Sequence, residues 1–295
     1  MRDITEKINK EKTAVALGFF DGLHLGHIEV IKRALLKGGL KSVVFTFNGK
    51  TPLPKFAERK SKIIITHESK TAIFEKLGID YIYAPDFKDV KDLSPMEFVS
   101  EIIDKRLNAG YVVCGYDFRF GKGGEGNPEM LAKLCAERGI ECETVPAVSC
   151  DGEIVSSTLI RELIEKGEIE KANKLLGYEF SYKLPVEEGK RLGRTIGFPT
   201  INQAVPHYMV CPKYGVYGSW TEIDGKIYRS VTNVGVRPTV EKTERAVAET
   251  YILGYSGDLY GRKIRVFFRF FIRPEQDFGS IERLKEQLSK DAALV

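Results

Sequence analysis

Residues 13–37, TAVALGFFDGLHLGHIEVIKRALLK, change their period once, and that change decides the fold. TAVALGFF at 13–20 is almost wholly apolar and reads as a strand buried on both faces. HIEVIKRALLK at 27–37 spaces its apolar residues at helical intervals, and Gly38 and Gly39 close it. A doubly buried strand running into a helix is the first half of a βαβ unit. SVVFTF at 42–47 supplies the next strand. The alternation continues with a helix at 68–77 and a strand at 79–84. Ser94-Pro95-Met96-Glu97 opens a helix running to about 108, with Ser as N-cap, Pro at the first position and Glu completing a capping box. A strand at 111–115, a helix opened by Asn127-Pro128 and a strand at 140–145 follow. The pattern predicts an α/β doubly wound parallel sheet with right-handed crossovers.

The second half changes character. Two short helices at 158–166 and 168–176 end at Gly167 and Gly177. Strand-like runs follow at 182–187, 215–223, 226–235, 245–253 and 263–272, with Asp224-Gly225 as a hairpin turn. Strands at this spacing with no helices between them predict an antiparallel β-barrel. A C-terminal helix begins near Ser280, with Ile281, Leu284 and Leu288 on one face. The boundary falls between about 177 and 184, giving domains 1–180 and 181–295.

Composition narrows the partners. The chain has 295 residues, 43% hydrophobic and 29% charged, which excludes disorder, collagen and coiled coil. Its 45 basic and 41 acidic residues leave a net charge of +4 without a dense basic stripe, so no nucleic-acid partner is expected. Phosphorylated small molecules suit that balance. The five cysteines are odd in number and lack C-x-x-C spacing, which predicts reduced thiols and no zinc site. No apolar run reaches the ~20 residues of a membrane span, and the charged N-terminus is not a signal peptide. A cytoplasmic enzyme with no membrane partner is expected; the sequence does not specify an oligomeric state.

Three stretches carry chemistry in the first half. Gly18-Phe19-Phe20-Asp21-Gly22-Leu23-His24-Leu25-Gly26-His27 lies at the carboxyl end of the first strand, where ligands bind in parallel sheets. Its glycines allow close approach to a phosphate, and the following helix aims its N-terminal N–H groups there. His24 and His27, half of the chain's four histidines, add side-chain donors. The bland alternative is a pair of ordinary histidines in a tight turn. Gly115-Tyr116-Asp117-Phe118-Arg119-Phe120-Gly121-Lys122 ends a second strand on the same expected edge. Arg119 and Lys122 suit a phosphate-bearing ligand, while Phe118 and Phe120 are either core or a ring platform. Ser156-Ser157-Thr158-Leu159-Ile160-Arg161 opens a helix; its hydroxyls are either caps or, with Arg161, phosphate donors.

In the second half, Gly189-Lys190-Arg191-Leu192-Gly193-Arg194-Thr195-Ile196-Gly197-Phe198-Pro199-Thr200-Ile201-Asn202 is dense in glycine and base. Such a loop can wrap phosphates, and Thr200 with Asn202 offers hard oxygens to magnesium; equally, it can be a solvated turn.

In this order the motifs resemble the bacterial bifunctional riboflavin kinase/FAD synthetase family. The decapeptide matches G-x-F-D-G-x-H-x-G-H, and D-F-R-F-G and S-S-T-x-I-R also appear. The second half matches G-R-x-x-G-F-P-T-A-N except at Ile201. Gly215-Val216-Tyr217, Asn233-Val234-Gly235-Val236-Arg237-Pro238-Thr239, Asp258-Leu259-Tyr260-Gly261 and Arg273-Pro274-Glu275 follow. The resemblance spans residues 13 to 292 and implies two activities: ATP phosphorylates riboflavin to FMN, then adenylylates FMN to FAD. It implies that His24, His27 and Arg161 are catalytic in adenylyl transfer. Gly18, Phe19, Phe20, Asp21, Gly22, Gly26, Ser157 and Thr158 would bind ATP phosphates, and Asp117, Phe118 and Arg119 would face nucleotide or flavin. In the kinase it makes Glu249 the base, Gly189, Arg191, Gly197, Thr200 and Asn202 the phosphate-binding set, and Thr200 and Asn202 the ligands of Mg2+ or another hard divalent cation. Arg273, Phe278 and Ser280 would contact flavin. For Glu249, position alone is equally consistent with one exposed carboxylate on a strand.

Three departures stand out. The family's T-F-x-P-H-P is replaced by Thr46-Phe47-Asn48-Gly49-Lys50-Thr51-Pro52, without histidine. Gly254-Tyr255 stands for Asp-Phe, and Gly279 for an Asp before Ser280. The first motivates an alternative, a riboflavin kinase with an impaired or repurposed first domain. A non-catalytic flavin- or RNA-binding regulator is the reading from a different class, motivated by the mildly basic charge.

Overall fold

The computed structural model describes residues 1–51, 62–189, 197–238 and 244–295. Pro52, Lys190 to Ile196 (Arg191 among them) and Thr239 lie outside the described residues. The chain divides into two compact units, Met1–Ser157 and Thr158–Val295.

The first unit is built on six parallel strands: β1 (Arg2–Asp3), β2 (Thr13–Leu17), β3 (Lys41–Phe45), β4 (Tyr81–Tyr83), β5 (Ala109–Gly115) and β6 (Glu141–Val145), in the order β1-β4-β3-β2-β5-β6. The chain winds outward from β2 through β3 and β4, then returns to place β5 on the other side of β2. The order therefore reverses between β2 and β5, and in a doubly wound sheet the ligand crevice opens there. Every residue of β2 is buried, as expected of a strand covered on both faces. The strand stops at Leu17 rather than at residue 20. Phe20 at φ 56°, Gly22 at φ 80° and Leu23 at φ 45° are left-handed and cannot extend it. Helix α1 (Leu25–Leu35) starts two residues earlier than its periodicity suggests. Helix α2 (His67–Lys76) falls within a residue of expectation. Ser94 and Glu97 form the predicted capping box, and the helix then widens into a π-type segment, Phe98–Arg106, that buries Phe98, Val99, Ile102 and Ile103. Helix α3 (Pro128–Ala136) is capped by Asn127. Edge strand β1 was not legible; its two exposed residues offer no apolar pattern, and only pairing with Tyr81 and Ile82 defines it. A small hairpin, β7 (Ser149–Cys150) and β8 (Glu153–Ile154), follows.

The second unit begins with α4 (Ser157–Lys166), whose first residue closes the first unit, and α5 (Ile169–Leu176), ended by Gly177 at φ 77°. Six antiparallel strands follow: β9 (Ser181–Pro185), β10 (Thr200–Ala204), β11 (Gly215–Ile223), β12 (Lys226–Pro238), β13 (Glu244–Ile252) and β14 (Lys263–Arg273), in the order β10-β13-β12-β11-β14-β9. The edges meet: Glu187 N–H donates to the Asn202 carbonyl at 2.8 Å, and Gln203 Nε2 donates to the Leu184 carbonyl at 2.7 Å. Asp224 (φ 50°) and Gly225 (φ 77°) make the left-handed pair of the expected hairpin. The interior is partly polar. Thr221, Ser230, Ser219, Thr232 and Thr250 are fully buried and linked in a chain by hydroxyl hydrogen bonds of 2.8–2.9 Å. β10 was the missed strand: Thr200 and Asn202, expected in a phosphate loop, sit on its ladder instead. Helix α6 (Ile281–Ala293) is capped by Ser280, whose Oγ accepts from Arg283 N at 3.3 Å.

Candidate active sites

In the first unit the decapeptide leaves β2 beside the end of β5, Leu17 pairing with Cys114, so its turn occupies the sheet's switch point. His24 is the N-cap of α1: its Nδ1 accepts from His27 N at 3.3 Å. The two imidazoles stack with centroids 3.6 Å apart, and His24 is only 6% exposed. Gly26 makes this possible, since a Cβ there would lie 3.3 Å from the His24 ring. Phe20 packs edge-on against His27 and Phe74. Gly18 is needed for that ring, because a Cβ would fall 2.8 Å from it. Asp21 is 3% exposed; its Oδ1 accepts from the backbone N–H groups of Ile64 and Ile65, and its carbonyl accepts from Ser157 Oγ at 2.9 Å. Asp21 and Ser157 thus pin the turn. The result is two stacked imidazoles beside a helix N-terminus, suited to hold a polyanion.

Sequence reading missed Lys70. It lies 3% exposed on α2, its Nζ donating to the Phe19 carbonyl at 2.7 Å and to Thr46 Oγ1 at 2.8 Å, over the Phe19 ring. Burial pushes its pKa down to about 8, the Asp21 charge opposing that shift. The available signal was its place one turn before the buried Phe74, a lysine on the apolar stripe. His67, at the start of the same helix, has its pKa lowered by burial and by the Lys70 charge, with the Phe47 backbone acting the other way. Lys50, in the segment that departs from the family pattern, is exposed.

The β5 stretch resolves its own alternatives. Phe120 belongs to the core and stacks on Phe118, which is half-buried against that core. Asp117 and Arg119 are exposed at the strand end flanking the turn. Thr158 and Arg161 continue α4 within the second unit, where Arg161 is 8% exposed.

In the second unit, register assembles the site. Asn202 on β10, Glu249 on β13 and Asn233 on β12 are directly opposed on successive strands, so their side chains share one face. Two rungs along, and so on the same face, Thr200 opposes Tyr251. Glu249, Asn233 and Thr200 line a cavity of about 730 Å³ whose far wall is α6, through Ile281, Leu284 and Leu288. Thr200 also lines a second cavity of about 290 Å³, walled by Ile252, Tyr255, Leu259 and Tyr260. Arg273 faces the larger cavity, but its guanidinium is engaged by Asp291 of α6, Nη2 to Oδ2 at 2.7 Å, with Asp291 fully buried. It therefore anchors α6, and it also lies over the Phe278 ring. Ser280 lines the same cavity and serves as the cap of α6. Glu275, unremarked beyond its motif, accepts from Asn233 Nδ2 at 3.0 Å and closes over Gly235. Gly189 and Gly197 flank the undescribed segment, Gly197 at φ 86°.

The comparisons with known proteins divide the chain between two families, one for each scaffold. The FAD synthetase family profile matches residues 6–159, and the riboflavin kinase profile matches residues 176–295. A Listeria monocytogenes bifunctional riboflavin kinase/FMN adenylyltransferase is 37% identical over 96% of this chain and 90% of its own length. The chain belongs to this family. The Bacillus subtilis relative is 34% identical over 97% of this chain and 92% of its own. Among solved structures, a Streptococcus pneumoniae protein described as a macrolide-efflux protein superposes with a TM-score of 0.85 at 30% identity, covering 98% of this chain and 96% of that one. Among the described residues here, no helix is long and apolar enough to cross a membrane. Family membership covers both halves, so the kinase-only alternative loses its ground.

Proposed function

We propose that this bifunctional riboflavin kinase/FMN adenylyltransferase carries out its two reactions at the two sites described, with adenylyl transfer in residues 1–180 and phosphorylation in residues 181–295. The observation that carries the assignment is the pairing of a histidine-bearing helix N-terminus in one unit with a carboxylate in a cavity of the other.

In the first reaction a phosphate oxygen of FMN attacks the α-phosphorus of ATP; the new O–Pα bond forms as the Pα–O bond to pyrophosphate breaks. The nucleophile is already anionic near neutral pH, so positioning and charge stabilisation supply the catalysis. His24, His27 and the α1 N–H groups hold the triphosphate, with Gly18, Phe19, Phe20, Gly22 and Gly26 shaping the turn. Asp21 supports it through Ile64 and Ile65. Ser157 Oγ supports the turn through the Asp21 carbonyl, and family resemblance adds Thr158 and Arg161 as phosphate donors. Asp117, Phe118 and Arg119 border the nucleotide or flavin side.

In the second reaction the riboflavin 5′-hydroxyl attacks the γ-phosphorus of ATP, ADP leaves, and Glu249 accepts the hydroxyl proton. The larger cavity takes the flavin, bordered by Arg273, Phe278 and Ser280. The smaller takes the nucleotide, with Thr200 at the junction. Gly189, Arg191 and Gly197 belong to the phosphate loop by resemblance. The Thr200 hydroxyl and the Asn202 carboxamide are hard-oxygen donors on one strand, β10, of the kind that Mg2+ takes. Held by those two residues, Mg2+ would supply charge neutralisation for the transferring phosphoryl group. Riboflavin, FMN, FAD and ATP are the partners; cytoplasmic location fits these substrates.

The purified chain given riboflavin, ATP and magnesium is expected to make FMN first and FAD after it. Product-resolved chromatography over time checks this. FMN without FAD would reinstate the kinase-only alternative and implicate the segment Asn48 to Pro52.

A further inference from the structure

We propose that Lys70 is a positioning residue for adenylyl transfer: its buried ammonium draws the Phe19 carbonyl to the α2 side of the phosphate turn and thereby aims the Phe20 N–H at the bound phosphate. This rests on the adenylyl-transfer reading of the first unit.

The geometry is specific. The Phe19 carbonyl accepts from both Lys70 Nζ and Thr46 Oγ1, at 2.7 and 2.9 Å. The peptide between Phe19 and Phe20 is trans, so its C=O and N–H point in opposite directions. Holding the carbonyl on one side sends the N–H to the other, and among the described residues that N–H meets no acceptor. Phe20 sits at φ 56°, a conformation unfavourable for a bulky residue, and such strain persists only where surroundings enforce it. The enforcement is visible: Phe20 is locked between His27 and Phe74, and its preceding carbonyl is locked by a charge-assisted hydrogen bond. A buried cation is an expensive way to hold one carbonyl that Thr46 already satisfies. The charge is accounted for if it also contributes positive potential behind the phosphate turn. Among the described residues, the charged and titratable groups facing Lys70 are Asp21 from the turn and His67 from its own helix.

The test uses the full chain and the variants Lys70→Met and Lys70→Gln, measuring both FMN adenylylation and riboflavin phosphorylation from pH 6.5 to 9.5. Methionine replaces a buried charge with apolar surface, and Thr46 still donates to Phe19, so both variants keep the fold; a thermal unfolding scan verifies this. Lys70→Met is expected to lower the adenylylation kcat about thirty-fold, the scale of one charged hydrogen bond, with the KM for FMN and the kinase reaction within about two-fold of the parent. Lys70→Gln retains an N–H donor and falls in between.

The pH profile separates positioning from folding. The pKa of Lys70 is near 8 in the folded chain against an ordinary 10.5, so between these values the unfolded chain holds more protons and stability rises with pH. Adenylylation is expected to fall over the same interval as the ammonium is lost, opposite to stability, and this alkaline limb is expected to vanish in Lys70→Met. A lysine needed only for folding would make activity follow stability. Adenylylation by Lys70→Met within about two-fold of the parent, or an unchanged alkaline limb in that variant, overturns the proposal alone. A parent chain that makes no FAD at any pH overturns the adenylyl-transfer reading beneath it.

Discussion

The two sites proposed here would solve the same problem, holding a triphosphate, with opposite architecture. In the first unit the turn and both imidazoles come from ten consecutive residues, Gly18 to His27, placed by one strand end and one helix start. In the second, Asn202, Asn233 and Glu249 are brought together only because three antiparallel strands share a register. A local site depends on turn geometry and tolerates distant change. A register site depends on every ladder between its members, since a one-residue slip turns each side chain to the other face. The two should therefore fail independently and by different routes.

The largest effect is expected at Glu249. Removing a positioned proton acceptor costs on the order of 10²–10⁴ in rate, so Glu249→Ala should cut FMN formation by about 10³ while FAD still forms from supplied FMN. Normal phosphorylation by that variant would remove Glu249 from the mechanism. His27→Ala is the converse: about 10² lost in adenylylation, typical of one preorganised donor, with FMN formation retained. If either substitution depressed both reactions equally, the contrast between two self-contained sites would be broken.

The same contrast explains what could be read from the chain. The doubly wound sheet was legible because its strands and helices announce themselves by period and cap: Ser94 with Glu97, and Asn127 ahead of Pro128, all formed as read. The histidine turn was legible for the same local reason. β10 was not, because Thr200-Ile201-Asn202 follows a glycine-rich run and has no alternation of its own; pairing with β13 makes it a strand. Barrel interior positions were also masked, since Ser219, Thr232 and Thr250 look exposed by type but satisfy one another inside. Lys70 escaped because its one signal, a place on the apolar stripe one turn before Phe74, does not show the acceptors that let a lysine be buried, the Phe19 carbonyl and Thr46, which are supplied from elsewhere in the fold. Arg273 was read as a candidate flavin contact, and its link to Asp291, eighteen positions away, needed the folded helix α6.

The smallest expected effect sharpens the comparison most finely, because it moves one ring by a fraction of an ångström. Gly26 is the second residue of α1, where alanine would raise helix propensity by up to about 1 kcal/mol. Local propensity therefore favours Gly26→Ala. Opposing it, the added Cβ would stand 3.3 Å from Cε1 and Nδ1 of His24, closer than relaxed contact allows. The His24 ring must give, and it is held on its other side by the stack with His27 and by the bond from His27 N. Stability should thus change little, while the imidazole pair shifts relative to the helix N-terminus. FAD formation is expected to fall about three- to ten-fold, mainly through a raised KM for ATP, since a slightly misplaced donor weakens binding of the triphosphate before it abolishes transfer. FMN formation should be unaffected, because the register site in the barrel shares no residue with this turn. Steady-state kinetics of both reactions, with a melting curve, decide it. Unchanged adenylylation in a variant of normal stability would mean that the stacked placement of His24 over Gly26 is packing alone, leaving His27 and the helix N-terminus to hold the phosphates.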